Sequence, residues 1–553
     1  MAGSIRGIYT SINDIRQKVF AEVARLSYEY DGGDLSEMEK VPYKIIPGEE
    51  AVYRDSVFVE RAIVRERMRL AMGLPVRTAD EESAVSDGAL ECAQPEKYYQ
   101  PPLINIIKFA CHKCPDNIVK VTNTCQGCLA HPCMEVCPRD AITFVEGKAF
   151  IDQEKCIKCG QCVNVCPYSA INKQERPCAK ACGMDAIHSD EYGRAEIDQD
   201  KCVSCGMCLA NCPFGAIADK AQIFQCIQAM KEDAPVYAVV APAVAGQFGK
   251  SVVPGKLRSM FKALGFEDSF EVAIGADLCA VEEAKDFIKE VPDKIPFMAT
   301  SCCPAWAMMA KKLFPEQAEC ISMALTPMVL TARLIKKEHP GCKIAFIGPC
   351  SAKKLEASRR TVRSDVDFVL TFEEVLGMIQ AKAIDFDSLQ EIDCMHGGSG
   401  DGRAFAISGG VAQAVVNCIK EIDPDREIKV EKADGLRECR KIMQLAKAGK
   451  YNGYLIEGMA CPGGCIAGAG TVQPVNKSLA AVNLHKKVST RAHSYESPYG
   501  EWLTTLEERG ENIDVASQNY AGGVLKQPEA TPADKESFVN AHIAAQAELE
   551  KGN

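Results

Sequence analysis

The chain offers nothing that would carry it into or across a membrane. Its opening, MAGSIRGIYTSINDIRQKVF, lacks the apolar stretch of a secretory leader, so a cytoplasmic location is the expectation. Apolar runs such as VYAVVAPAVAG at Val236–Gly246 are too short to span a bilayer. Positive charge is also scarce: 64 Lys and Arg face 75 Asp and Glu, for a net charge of -11. That balance argues against a nucleic-acid partner and suits ordinary solubility. No G-x-G-x-x-G follows a strand-like run and no P-loop is present, so direct use of NAD or a nucleotide is not expected.

What the chain does have is sulfur. It carries 29 cysteines in 553 residues. Without export a disulfide framework is not expected, and metal ligation or redox chemistry becomes the reading to pursue. The acidity does not come from the cysteine-rich part, since Leu103–Cys226 holds 13 Lys and Arg against 14 Asp and Glu.

The length implies several domains. Residues 1–100 form a mainly helical region of unassigned role. SINDIRQKVFAEVARLSYEY has amphipathic spacing with Ser11 or Asn13 available as a cap, and FVERAIVRERMRLAMGL reads as a second helix. Its Arg and Glu residues are expected to form a solvated face rather than a docking site. Residues 101–230 hold a duplicated unit of short helix, hairpin turning at Gly147 or Gly193, cysteine loop and second short helix. A unit this small needs bound clusters for part of its stability. Residues 231–484 alternate strand-like runs (PVYAVVAPAV, CKIAFIGPC) with helical ones (SMFKALGF, EEAKDFIKEV, FEEVLGMIQAKAI). This is the pattern of a doubly wound α/β domain with ligands on the loops after its strands. Residues 485–553 turn polar and end on a loosely held helix, SFVNAHIAAQAELEKGN.

Cys156, Cys159, Cys162 and Cys166 follow C-x2-C-x2-C-x3-C-P, and Cys202, Cys205, Cys208 and Cys212 repeat it. In that bacterial ferredoxin run three cysteines hold one 4Fe-4S cube and the fourth serves its neighbour. Structural zinc is the bland alternative, but zinc rarely takes such a run twice beside proline. Cys125, Cys128, Cys133 and Cys137 precede the first run. Crossing the fourth ligands groups Cys125, Cys128 and Cys133 with Cys166, and Cys156, Cys159 and Cys162 with Cys137. Cys182 then completes Cys202, Cys205 and Cys208. Cys178 and Cys212 lack two partners, which the C-x2-C pair Cys111 and Cys114 can supply, giving three accessory clusters and a fourth on that pair.

Three further segments are TSCCPAW (Thr300–Trp306), IGPCSAKKLEA (Ile347–Ala357) and EGMACPGGCIAGAG (Glu457–Gly470). They resemble, in order, the three signature motifs of [FeFe] hydrogenases, especially the lineage often called group B. APAV at Ala241–Val244, GADL at Gly275–Leu278 and SGGV at Ser408–Val411 agree. The likeness runs from about Pro235 to Pro474. It implies a two-lobed catalytic α/β domain of the hydrogenase large-subunit type, with parallel sheets. A ferredoxin-like α+β domain and the helical N-terminal region would precede it.

By the same resemblance, Cys303, Cys350, Cys461 and Cys465 would hold the cubane of an H-cluster. Cys465 would bridge to a two-iron subsite bearing CO, cyanide and a dithiolate, installed by dedicated maturation proteins. Pro242 would lie against the group, and Lys353 would donate to a cyanide. Cys302, facing away from its neighbour, resembles the thiol that passes protons onward, and the path would continue through Glu283, Ser322 and Asp286. The family usually has Glu at the position of Asp286. Two more departures would line the two-iron pocket: Gly348 stands for a Met and Met328 for a Gln.

The expected activity is 2H⁺ + 2e⁻ ⇌ H₂, with ferredoxin or another low-potential carrier feeding the cluster chain and the site near Cys202–Cys212 proximal. A hydrogen sensor, a cluster-assembly factor and a plain electron carrier are the alternatives. Cys92, Cys226, Cys279, Cys320, Cys342, Cys394, Cys418 and Cys439 are expected to be buried small hydrophobes, Cys279 near the proton path.

Overall fold

Strand-like runs that end at Pro or Cys loops become parallel strands whose C-terminal ends point toward one another. The computed structural model describes residues 8–78, 80, 82–95, 99–249, 254–359, 362–392 and 397–503. One parallel sheet runs in the order Ser269–Glu271, Val236–Val240, Lys343–Ile347, Phe368–Leu370. A second, also parallel, runs Met298–Ala299, Tyr454–Met459, Lys429–Asp434. Val236–Val240 and Phe368–Leu370 are buried throughout, which explains their unbroken apolar character.

The duplicated unit folds as its repeat suggests. Pro132–Glu135 and Gln161–Val165 flank a hairpin of Ile142–Val145 with Lys148–Ile151, and Pro177–Ala181 and Met207–Asn211 flank Ile187–Ser189 with Ala195–Ile197. Glu146 and Gly147 both have positive φ, 51° and 76°, the geometry a two-residue hairpin turn demands.

In the N-terminal region the helix Ser11–Glu29 starts at Thr10, not at Ser11 or Asn13. Asn13 is instead the reciprocating residue, its Oδ1 accepting from the Thr10 amide at 3.1 Å. Val19, Phe20 and Val23 share one apolar core with Phe372, Met378 and Ala345 of the α/β region. Arg16 pairs with buried Glu373. The helix Val57–Ala71, capped by Ser56, does not present a solvated charged face: Glu60, Glu66, Arg67 and Arg69 are all buried. Their spacing looks amphipathic, but the polar side is covered: Arg67 meets Gly215 of the ferredoxin-like unit, and Glu60, Glu66 and Arg69 meet the flanking loops at residues 52–54 and 75–87.

That unit is also tied to the α/β region by a buried ion triad. Lys354 Nζ, fully enclosed, donates to Asp219 Oδ2 at 2.8 Å and to Glu374 Oε1 at 2.5 Å. Removing the one cation would leave two carboxylates facing each other without water, at a cost of about 3–5 kcal/mol. Lys354→Met should therefore lower the midpoint of thermal unfolding by several degrees, while a change within a degree would show that the carboxylates find other partners.

Cys92, Cys226, Cys279, Cys320, Cys342, Cys418 and Cys439 are buried as expected. Cys394 and the segment SFVNAHIAAQAELEKGN lie outside the described residues.

Candidate active site

Each cysteine motif sits just beyond a parallel strand. TSCCPAW follows Met298–Ala299, IGPC ends Lys343–Ile347, EGMACPGGC completes Tyr454–Met459, and APAV follows Val236–Val240. Pro304 opens the helix Pro304–Leu313 at its first position, where a missing N–H costs nothing. Trp306, fully buried, donates from Nε1 to the Thr300 carbonyl at 2.9 Å and lies flat on Gly458. One indole thus braces the first motif against the third. Gly464 has φ +97°, and a Cβ there would come within 2.6 Å of the Ser408 amide, so the loop between Cys461 and Cys465 requires glycine.

These loops line one cavity, larger than the two voids described below for the accessory cysteines. Cys303, Cys350, Cys461 and Cys465 line it together with Cys302, Lys353, Pro242 and Met328. The four thiols predicted to act together therefore do converge, and the donor set suits an iron–sulfur group. Cys303 Sγ accepts from the Ala460 amide at 3.4 Å, the kind of bond that stabilises a ligating sulfur.

Lys353 is buried, not the surface lysine its position alone would suggest. Its Nζ pairs with Glu356 Oε2 at 2.6 Å, which engages one of the three ammonium donors and leaves the others unfilled. Burial pulls its pKa down, and the charges of Glu356, Cys350 and Cys302 outweigh that and hold it above the usual lysine value. A charged donor with free N–H groups on this wall fits an anionic ligand.

Behind Cys302 stands Glu283, on the helix Ala273–Glu290 and fully enclosed. Its Oε1 accepts from the Ser301 amide at 3.2 Å, and Oε2 has no hydrogen-bond partner. Burial raises its pKa to about 7 against the opposing pull of the Ser322 hydroxyl and Ser301 amide, with Asp286 and Glu457 adding to the rise. Burial, then the Glu283 charge, holds the Cys302 thiol well above the ordinary range. Ser322 is buried nearby and Asp286, one turn on from Glu283, is half-buried. Cys279, a turn earlier, feels the Glu283 charge most among its neighbours.

Gly348 is corrected by the structure. It is not on the cavity wall: a Cβ there would meet the Phe346 ring at 2.5 Å, and it is Phe346 that lines the cavity. Met328 does line it. The sequence reading also missed Glu457, fully buried and accepting from the Gly409 and Ala412 amides at 2.6 and 2.8 Å. Its signal was a lone acid inside the apolar strand YLIEGM.

The accessory cysteines gather in the expected fours. Cys111, Cys114, Cys178 and Cys212 line one void, and Cys137, Cys156, Cys159 and Cys162 another. Cys208 lies within Coulombic reach of Cys205, Cys202 and Cys182, and Cys133 of Cys128 and Cys166, with Cys125 in the same apolar cluster. Among the described residues no three His, Cys, Asp or Glu side chains close up on a single-ion site. Two of the quartets, those of Cys111 and Cys137, each surround a void of their own. Cys205 belongs to its quartet and to the wall of the large cavity. Gly206 permits that approach, since a Cβ there would sit 2.5 Å from Ala469 Cβ.

Three family models match parts of the chain. Residues 234–469 match the iron only hydrogenase large subunit, C-terminal domain. Residues 149–172 match a 4Fe-4S binding domain, and 172–223 the LdpA Fe-S cluster-binding domain. The periplasmic [Fe] hydrogenase large subunit of Nitratidesulfovibrio vulgaris is 30% identical over 389 residues, 61% of this chain and 87% of that protein. Iron hydrogenase 1 of Clostridium pasteurianum is 29% identical over 402 residues, 63% of this chain and 70% of the other. The cytosolic Fe-S cluster assembly factor narfl of Danio rerio is 27% identical over 281 residues, 41% and 68% of the two chains. On the motifs, the cavity they form and these matches, the chain is a hydrogenase-like iron–sulfur protein and belongs to the iron-only hydrogenase family.

Proposed function

We propose that the protein is an enzyme that interconverts protons and hydrogen, 2H⁺ + 2e⁻ ⇌ H₂. The observation that carries this reading is the wall of the large cavity. Beside the four cysteines stand a thiol that need not bind metal, Cys302, and an ammonium with unfilled donors, Lys353. A site that only held or passed on a cluster would need neither. Cys303, Cys350, Cys461 and Cys465 would hold an H-cluster, which supplies the reversible two-electron chemistry when bound.

The chain's own residues then have separable tasks. Lys353 Nζ donates into the cavity and anchors whatever anion faces it. Phe346, Met328 and Pro242 exclude water from the same space. Cys302 Sγ, protonated because of its burial, gives or takes a proton at the cavity wall. Glu283, within the protein behind it, restores that proton by way of Ser322 and Asp286. Electrons would come from a ferredoxin or similar low-potential carrier. Cys159 is the one exposed cysteine among the described residues, which favours its quartet as the point of input. Cys205 stands at the other end, on the cavity wall.

The similarity to an assembly factor is a second reading, and one assay separates them. Protein produced without oxygen together with hydrogenase maturation proteins should evolve hydrogen from reduced methyl viologen. Full iron content with no hydrogen above the buffer background would overturn the enzyme reading.

A further inference from the structure

The helix Val57–Ala71 and the loop before it place two arginines of the N-terminal region against one accessory quartet. Arg67, buried, donates from Nη2 to the carbonyl of Gly215. Arg54 Nη2 donates to the carbonyls of Ala110 and Phe214, both at 2.9 Å. Its guanidinium lies 5.6 Å from the centre of the Phe214 ring, and that ring stacks on His112 with centroids 4.3 Å apart. A third arginine, buried Arg176, donates to the carbonyl of Cys114 at 3.2 Å and to Ser189 Oγ and the Gly193 carbonyl. Every carbonyl named at residues 110–114 and 212–215 flanks Cys111, Cys114 or Cys212.

None of these three guanidiniums forms an ion pair with a carboxylate among the described residues. The acids nearest to hand are otherwise engaged. Glu60 turns Oε1 to the amides of Val52, Tyr53 and Arg54, so it shapes the loop that presents Arg54. Asp116 is reached only through Ser189. A buried cation without a counter-charge is costly, and burial, with the like charges of Arg16 and Arg54, pushes the Arg67 pKa down to about 10. The Arg54 and Arg176 Nε atoms are likewise buried and unpartnered. The cations seen at two of the other quartets are exposed instead: Arg139 lines the void of Cys137, Cys156, Cys159 and Cys162, and Lys312 donates to the Cys202 carbonyl.

We infer that the N-terminal region is an electrostatic clamp, in which Arg54 and Arg67, with Arg176, supply the counter-charge for a 4Fe-4S cluster on Cys111, Cys114, Cys178 and Cys212. The clamp sets that cluster's reduction potential above those of its neighbours. Four thiolates make such a cluster anionic in either redox state, and one more negative charge arrives on reduction, so nearby buried cations favour the reduced form. The cluster one step before the cavity-side quartet would then hold an electron in readiness. This rests on reading those four cysteines as a cluster site.

The test uses the full protein with its accessory clusters, reduced stepwise and followed by electron paramagnetic resonance. Arg67→Met and Arg54→Gln should each keep the iron content. Each should lower one midpoint potential by at least a tenfold change in the reduced-to-oxidised ratio, 59 mV for a one-electron couple, and leave the others in place. Arg67→Lys, which keeps the charge, should restore most of the shift. Arg54→Gln, at a less buried position, keeps the test alive if Arg67→Met misfolds. Full iron with every potential unmoved in a folded variant overturns the clamp. Cys114→Ser separates the two layers: a loss of about four irons supports the cluster itself, and no loss removes the cluster and the clamp together.

Discussion

Cys302→Ser is expected to reduce hydrogen evolution by about 10²–10⁴-fold, the range that a positioned proton donor contributes, while leaving the iron content unchanged. The two halves of that expectation come from different atoms. Ligation falls to Cys303, Cys350, Cys461 and Cys465, none of which is altered, and the first of them keeps its bond from the Ala460 amide. Serine is close in size to cysteine, so the wall that Cys302 shares with Lys353 and Met328 loses little packing. What changes is acidity: an alcohol gives up its proton far less readily than a thiol, most of all where burial already disfavours the anion. Activity and iron per chain measured on one preparation decide the matter. Loss of both together would recast Cys302 as a structural residue, and retention of both would place the proton route elsewhere.

The parts of this site that are legible in the sequence are those whose chemistry is local. A C-x2-C-x2-C-x3-C run sets three ligands of one cube close together and sends the fourth to its neighbour, so spacing groups most of the accessory sulfurs, and Cys111 and Cys114 follow by elimination. The convergence of Cys303, Cys350, Cys461 and Cys465 is long-range, and only the motif resemblance joins them. Where side chains substitute for one another in space, the sequence is silent: Phe346, two residues back in the chain and on the same side of the backbone, fills the place a side chain at Gly348 would take. The helix Val57–Ala71 misleads for a related reason. Periodicity separates polar from apolar faces but cannot say which of them meets solvent, and Arg67, on the polar face, is covered by another unit. Glu457 shows the converse, since an acid in an apolar strand is visible but its partners, the Gly409 and Ala412 amides, lie on a distant helix start.

Glu283→Gln should lower the rate by about a hundredfold and erase a pH inflection near 7. Burial is the main reason this carboxyl titrates at about 7. Below that value it carries a proton and can give it to Cys302; above it, the carboxylate can only accept. Hydrogen evolution should therefore fall as pH rises through 7, and hydrogen oxidation should gain over the same interval. Glutamine keeps an oxygen for the Ser301 amide but can neither release nor take up a proton, so both profiles should flatten as well as drop. Stability supplies an independent reading. Because the folded state holds this proton more tightly than the unfolded chain, wild-type stability is lost as pH rises through 7, by up to roughly 3 kcal/mol. The amide has no such loss, so anaerobic unfolding at pH 8 should favour Glu283→Gln over the wild type, relative to the same comparison at pH 5. A variant that keeps the inflection would assign the titration to another group, Asp286 first among them, and a variant with wild-type rates would take Glu283 out of the relay.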